Sequence, residues 1–264
     1  MAATNGEKRK HKIVEEDEGY FLVDKEDPDA NYIAASLPGY DFKGVPSFFD
    51  VGGICMDPKA LRLCTDIFEE RYREMKPPPT SICGLDARGF LFGPLVAQRL
   101  NIPFFMMRKK GKLPGPVMEV PYETEYSKEV LTIPCRAVSP GDRVIIFDDL
   151  IATGGTTIAA ANLIVECGGV VAEVAVITAI AFFQGWKKFR NSLDCLKDVP
   201  IFAIVEATKC VVVVLTFSLL FSFLLSSSLF FSLLPPRGTL GSCPAPWAWW
   251  RTFPLPPCRA RGLA

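Results

Sequence analysis

From Arg143 to Gly168 the chain reads RVIIFDDLIATGGTTIAAANLIVECG, and no other stretch restricts the fold as tightly. Val144 to Phe147 are all apolar. A strand without polar alternation is covered on both faces, the condition of a parallel sheet. Two glycines then break the strand, and a helical pattern runs across 156–167. The same rhythm recurs elsewhere. SICGLD (81–86) precedes a helical segment from Gly89 to Leu100, and PFFMMR (103–108) is the next strand. VVAEVAVITAI (170–180) precedes a helix over 184–191, and IFAIVEA (201–207) closes the series. Apolar strands alternating with helices predict an α/β, Rossmann-like fold, a mostly parallel sheet flanked by helices. Ligands of such sheets sit beyond the carboxyl ends of the strands. A longer helix is expected over 57–75, where Leu61, Cys64, Phe68, Tyr72 and Met75 recur at helical spacing. Asp57 and Pro58 make its cap and first turn, and the prolines at 77–79 stop it.

The flanks differ from this core, taken as residues 57–208. Residues 1–19 are charged and expected to be mobile, and 20–56, with DPDANY, LPGY and KGVPSFFD, are loop-rich and expected to form a small hood. The tail, 209–264, lies outside the fold; Cys210 to Pro236 holds no charged residue. Val211–Leu234 would span about 36 Å as a helix, enough to cross a bilayer. Either it is a membrane anchor or it is translated non-coding sequence, and the abrupt change of composition favours the second. The formal charge is zero, yet from Lys209 onward there are five basic residues and no acidic one. The body is therefore mildly acidic, which argues against nucleic acid as a partner. The single histidine, His11, excludes His-dependent triads and His-rich metal sites. Nine cysteines without a C-x-x-C pair suit reduced thiols in the cytoplasm, and the first residues carry no apolar signal segment. Attachment to a membrane is the alternative only if 211–234 forms an anchor.

The turn ATGGT (152–156) can aim backbone N–H groups and threonine hydroxyls at a phosphate, aided by the positive end of the helix that follows. The paired acids Asp148 and Asp149 suit a sugar diol or a magnesium ion with its waters. No lysine follows the glycines, so this is not a P-loop, nor is it G-x-G-x-x-G. The bland alternative is an ordinary strand–turn–helix joint with a surface acid pair. Two carboxylates beside an anion cradle, with no local base, speak against it.

VIIFDDLIATGGT resembles the ribose-phosphate signature of the type I phosphoribosyltransferases. GLDARGFLFGP (84–94), RKKGKLPG (108–115) and YETEY (122–126) match the adenine-specific branch in the family's order. The resemblance covers about Pro38 to Ala207. It implies transfer of 5-phosphoribosyl from its diphosphate to adenine, giving AMP and pyrophosphate, with Mg2+ held mainly through the substrate. Ala152, Thr153, Gly154, Gly155 and Thr156 would hold the 5′-phosphate. Asp148 and Asp149 would hold the ribose hydroxyls, with or without the metal. Arg88, Arg108, Lys109, Lys112 and Tyr126 would meet the diphosphate, and Glu125 would be the catalytic proton handler at the base. The basic run 108–112 reads as a flexible lid, or as a solvated loop; Glu123 and Glu125 alternate outward on a strand in the plainer reading. Ala152 stands where 6-oxopurine enzymes usually carry an Asp, which favours adenine. Phe48 would stack on the base while backbone groups of Ser47 and Phe49 meet its edge; many mammalian members have Arg at the place of Phe49. A homodimer is implied. The alternatives are transfer to xanthine, hypoxanthine or guanine, and a non-catalytic sensor of phosphoribosyl diphosphate, which would need neither the basic lid nor Glu125.

Overall fold

The computed structural model describes residues 9–42, 45–123 and 128–207, without the side chains of 41–48, 123 and 128. The chain divides into two units, Met1–Phe217 and Ser218–Ala264, and every described residue lies in the first. The proposed tail, Glu125 and Tyr126 lie outside the described residues.

In chain order the strands are β1 (Ile13–Asp17), β2 (Tyr20–Val23), β3 (Gly39–Phe42), β4 (Val45–Phe49), β5 (Ser81–Leu85), β6 (Phe104–Lys109), β7 (Val117–Glu123), β8 (Lys128–Pro134), β9 (Arg143–Ile151), β10 (Val170–Ala179) and β11 (Ile201–Glu206). The helices are α1 (Pro28–Ala35), α2 (Gly52–Met56), α3 (Pro58–Glu74), α4 (Gly89–Leu100), α5 (Gly155–Glu166) and α6 (Gly185–Arg190). Nine strands form one sheet in the order β1-β2-β11-β10-β9-β5-β6-β8-β7. From β2 to β6 all neighbours run parallel; β1 at one edge and the β8–β7 hairpin at the other are antiparallel. β3 and β4 pair separately as a small hairpin within the stretch expected to form the hood.

The apolar run of β9 splits between two cores. Val144 and Ile146 pack on the face covered by α5, with Ala160 and Leu163. Ile145 and Phe147 pack on the other, against Phe68 of α3 and Phe92 and Val96 of α4. That division is why the strand has no polar alternation. Asp57 caps α3, accepting from the N–H groups of Lys59 at 2.8 Å and Ala60 at 3.3 Å, with Pro58 in the first turn.

The flanks depart from the expectation. Residues 13–17, expected to be mobile, form β1, which pairs with β2 through a turn at Gly19. β2 in turn joins the main sheet beside β11, so the hood is smaller than 20–56. His11 is buried: its N–H donates to Glu70 Oε1 at 3.0 Å, and its ring nitrogens lie 2.7 Å from Glu70 Oε2 and 3.2 Å from Asp29 Oδ2. DPDANY begins a helix, α1, whose cap Asp27 accepts from Asp29 and Ala30 N–H at 2.8 and 3.1 Å. It repeats the Asp–Pro start of α3.

Among the described residues no helix is long and apolar enough to cross a membrane.

Candidate active site

The carboxyl ends of β5 and β9 border an open cleft of about 510 Å3. Its floor is the joint between β9 and α5. Gly154 caps α5 in the left-handed region at φ +80°, and a Cβ there would stand 2.8 Å from the Gly185 carbonyl oxygen. Glycine is therefore required twice over, by the backbone angle and by the close approach of the first residue of α6. Ile158 N–H donates to Gly154 O at 2.9 Å, the first bond of the helix. The N–H groups of Gly155, Thr156 and Thr157 precede it and have no acceptor within the helix, so they are available to an anion in the cleft. Thr157 Oγ1 donates to Gly154 O at 2.8 Å and fixes the turn from within.

Asp148 and Asp149 stand at the end of the buried strand, both lining the cleft. Asp149 N–H donates to Asp148 Oδ1 at 2.9 Å. Arg88 reaches across from the end of β5, its Nε 2.7 Å from Asp149 Oδ2. That oxygen is buried and receives no directed hydrogen bond, so the contact compensates charge without filling a lone pair. Burial raises the Asp148 carboxyl well above the usual range, and the Asp149 charge raises it further. Burial also raises Asp149, opposed first by Arg88. Gly89, after Arg88, lets α4 lie against the end of β9: a Cβ there would fall 2.4 Å from Phe147 O.

The cleft gathers Ala152, Thr153, Gly154, Gly155 and Thr156 with Asp148, Asp149, Arg88 and Lys109, residues drawn from three strand ends. Lys109 Nζ is 2.9 Å from Glu129 Oε1. Arg108 sits behind the cleft wall, Nε donating to Asp86 Oδ2 at 3.1 Å. Lys112 is exposed on the loop after β6 and does not line the cleft. The backbones of Ser47 and Phe48 lie in β4. Phe49 borders a separate small cavity rather than this cleft.

Six cleft residues, Ala87, Ile151 and Thr157 among them, were not singled out from the sequence. Tyr122 on β7 is half-buried there, its hydroxyl pKa raised chiefly by burial. Asp86 and Leu150 also line it. Leu150 adjoins the acid pair and was within reach of the motif. Tyr122 enters only because the hairpin β7–β8 folds back against α5. A second cavity of about 450 Å3, floored by Phe21 and Ile67, holds Arg71 and Glu173, but these already bond each other through Nε at 2.8 and 2.9 Å.

The family model for the phosphoribosyl transferase domain matches residues 54–208. The adenine phosphoribosyltransferase of Paracidovorax citrulli is 39% identical over 171 residues, 65% of this chain and 90% of that protein. Adenine phosphoribosyltransferase 1 of Triticum aestivum is 39% identical over 176 residues, 67% of this chain and 92% of its own length. The crystal structure of the Trypanosoma brucei adenine phosphoribosyl transferase, in complex with AMP, pyrophosphate and ribose-5-phosphate, superimposes with a TM-score of 0.72 at 34% identity, covering 75% of this chain and 87% of that one. The stretch matched by the family model contains the strand, loop and helix that build the cleft, and the chain belongs to the phosphoribosyltransferase family.

Proposed function

We propose that this chain is an enzyme of purine salvage that transfers the 5-phosphoribosyl group from its diphosphate to adenine, yielding AMP and pyrophosphate. One observation carries the reading: a helix-start anion cradle lies beside two adjacent carboxylates in one open cleft, in a chain whose relatives are adenine phosphoribosyltransferases. In this reading the amides and hydroxyls of Ala152 to Thr156 bind the 5′-phosphate, and Asp148 and Asp149 accept from the ribose hydroxyls. Arg88 and Lys109 supply positive charge to the diphosphate as it leaves. Arg108, Lys112 and Tyr126 belong to a lid that closes over it and excludes water. Glu125 holds or moves the proton of the base, and Ser47, Phe48 and Phe49 of the hood face the base.

Magnesium fits this donor set. Two acids side by side offer only oxygen, the choice of a hard cation, and Asp149 Oδ2 is a buried oxygen without a hydrogen bond. Asp148 and Asp149 would hold the ion together with the substrate, and the ion would neutralise charge on the leaving diphosphate. We place the protein in the cytoplasm as a homodimer. The six described cysteines are all free thiols, and Leu91 of α4 and Met106 of the adjacent β6 leave apolar surface exposed.

The test is incorporation of radiolabelled adenine, hypoxanthine, guanine and xanthine, with and without magnesium. Adenine alone should be converted, and only with the metal. Conversion of hypoxanthine but not adenine would overturn the base assignment. Glu125→Gln should lower kcat by about two orders of magnitude with little change in adenine KM, as expected for a lost general acid or base. An unchanged kcat would remove Glu125 from the chemistry.

A further inference from the structure

Among the described residues two cationic side chains line the cleft, Arg88 and Lys109, and each rests on a carboxylate. The two carboxylates differ in place. Asp149, the partner of Arg88, is itself part of the cleft lining beside Asp148. Glu129, the partner of Lys109, is not: it accepts from Lys109 Nζ at 2.9 Å without lining the cleft. A carboxylate outside the cleft thus holds the end of a lysine that belongs to it.

Backbone pairing fixes this contact. Lys109 is paired with Leu131 of β8, and Glu129 lies two residues along the same strand, hence on the same face. Directly across from Glu129 on β7 is Tyr122, which lines the cleft. Opposed residues of antiparallel strands share a face, so Glu129, Tyr122 and Lys109 are grouped on the cleft side of β6, β7 and β8. The Lys110 N–H, donating to Val130 O at 2.9 Å, ties the strands at this point. The hydrogen bond to Glu129 is the largest influence raising the Lys109 ammonium above its ordinary value. The pair is still only partly shielded, with side-chain exposures of 50% for Lys109 and 27% for Glu129. An ion pair so placed is weak, and a diphosphate with several charges displaces a single carboxylate. The lysine ammonium is a point charge on a flexible four-carbon stem, so it changes partner by rotation about its side-chain bonds.

We infer that Glu129 is a positioning residue for the diphosphate, holding Lys109 between turnovers, yielding it to the diphosphate and reclaiming it as pyrophosphate leaves. The inference rests on the adenine reading above and deepens it at the leaving group. Glu129 acts through Lys109 and touches no substrate. Because it competes for the ammonium, it weakens binding of the phosphoribosyl donor and of pyrophosphate alike, and so favours release of the product.

The experiment is steady-state kinetics of the full chain, with pyrophosphate as product inhibitor. Glu129→Gln keeps the shape and loses the charge. It should lower the donor KM and the pyrophosphate inhibition constant together, each about three- to fivefold, with adenine KM unchanged. Glu129→Asp, which keeps the charge, should lie nearer the wild type in both. In a Lys109→Ala background Glu129→Gln should alter neither constant, because its effect passes through the lysine. Calorimetric binding of pyrophosphate with magnesium gives a second readout, in which Glu129→Gln should bind about three- to fivefold tighter than wild type. An unchanged or raised donor KM in Glu129→Gln overturns the assignment, as does an effect that persists without Lys109; a wild type that converts adenine keeps the functional reading intact. A wild type that converts no adenine overturns both.

Discussion

Asp149 meets Arg88 directly, at 2.7 Å, while Asp148 beside it is more strongly shifted, upward, by burial and by its neighbour's charge. A carboxylate whose pKa rises on folding is one that the fold holds ionised at a cost, since the unfolded chain would ionise it more readily. Such strain concentrates where a ligand supplies the missing cation or donor. Asp148→Asn keeps the acceptor that Asp149 N–H uses and removes the charge. Without ligand, this variant should melt about 2–4 °C higher, a gain of roughly 1 kcal/mol. Its kcat/KM should fall by about a hundredfold or more. Thermal denaturation and initial rates check the two halves; a lower melting point would show that the Asp148 charge stabilises the fold. Both acids and the turn after them were legible in sequence because they are contiguous. Glu129 was not: nothing in its stretch of sequence marks that acid as the partner of Lys109 until β8 pairs with β6.

The edge of the sheet shows how an element can hide in a charged segment. β1 reads IVEED, and an edge strand tolerates outward charges that a central one does not. Its far end is tied down by Asp17, which accepts from Trp186 Nε1 at 3.2 Å and lies 2.9 Å from Lys187 Nζ of α6. Tyr20 stacks on the Trp186 ring at 4.0 Å. Lys187, then Trp186 and the Glu18 N–H, lower the Asp17 carboxyl to about 2. A depressed carboxylate contributes stability that is complete above its unfolded pKa and is lost as pH falls through the folded one. The stability gap between wild type and Asp17→Asn should therefore be full above about pH 4 and close as the pH falls through 2. Urea denaturation across that range measures it, and a gap that persists at pH 2 would show that the pair acts through packing alone. The α1 helix escaped for a different reason. Its Asp27–Pro28 start is the signal that located α3 at Asp57–Pro58, but eight residues give too little periodicity to confirm it.

At the scale of the molecule, among the described residues, only the sheet contributes side chains to both cores. Phe68 of α3 makes edge-to-face contacts with Phe147 of β9 at 4.7 Å and Phe202 of β11 at 5.6 Å, so a single side chain locks a helix across three strands' breadth. The last strand among the described residues ends at Glu206, and the family match ends at 208. A chain ended after residue 208 should therefore convert adenine at the wild-type rate and melt at the same temperature. Loss of activity would give the tail a part in the enzyme, and carbonate extraction of the full-length chain from cells tests the anchor. The alternating strands and helices of 57–108 and 144–207, and the glycine turn after the acid pair, followed from sequence alone, because each depends on neighbours within a few residues; the β7–β8 hairpin between them did not. Sheet order, the strand at 13–17, the approach of Tyr122 to the turn after β9, and the small cavity around Thr178 depend on contacts between segments distant in sequence. Local patterning fixes what each segment becomes; only packing on the two faces of the sheet decides which segments meet, and a binding site is made where they meet.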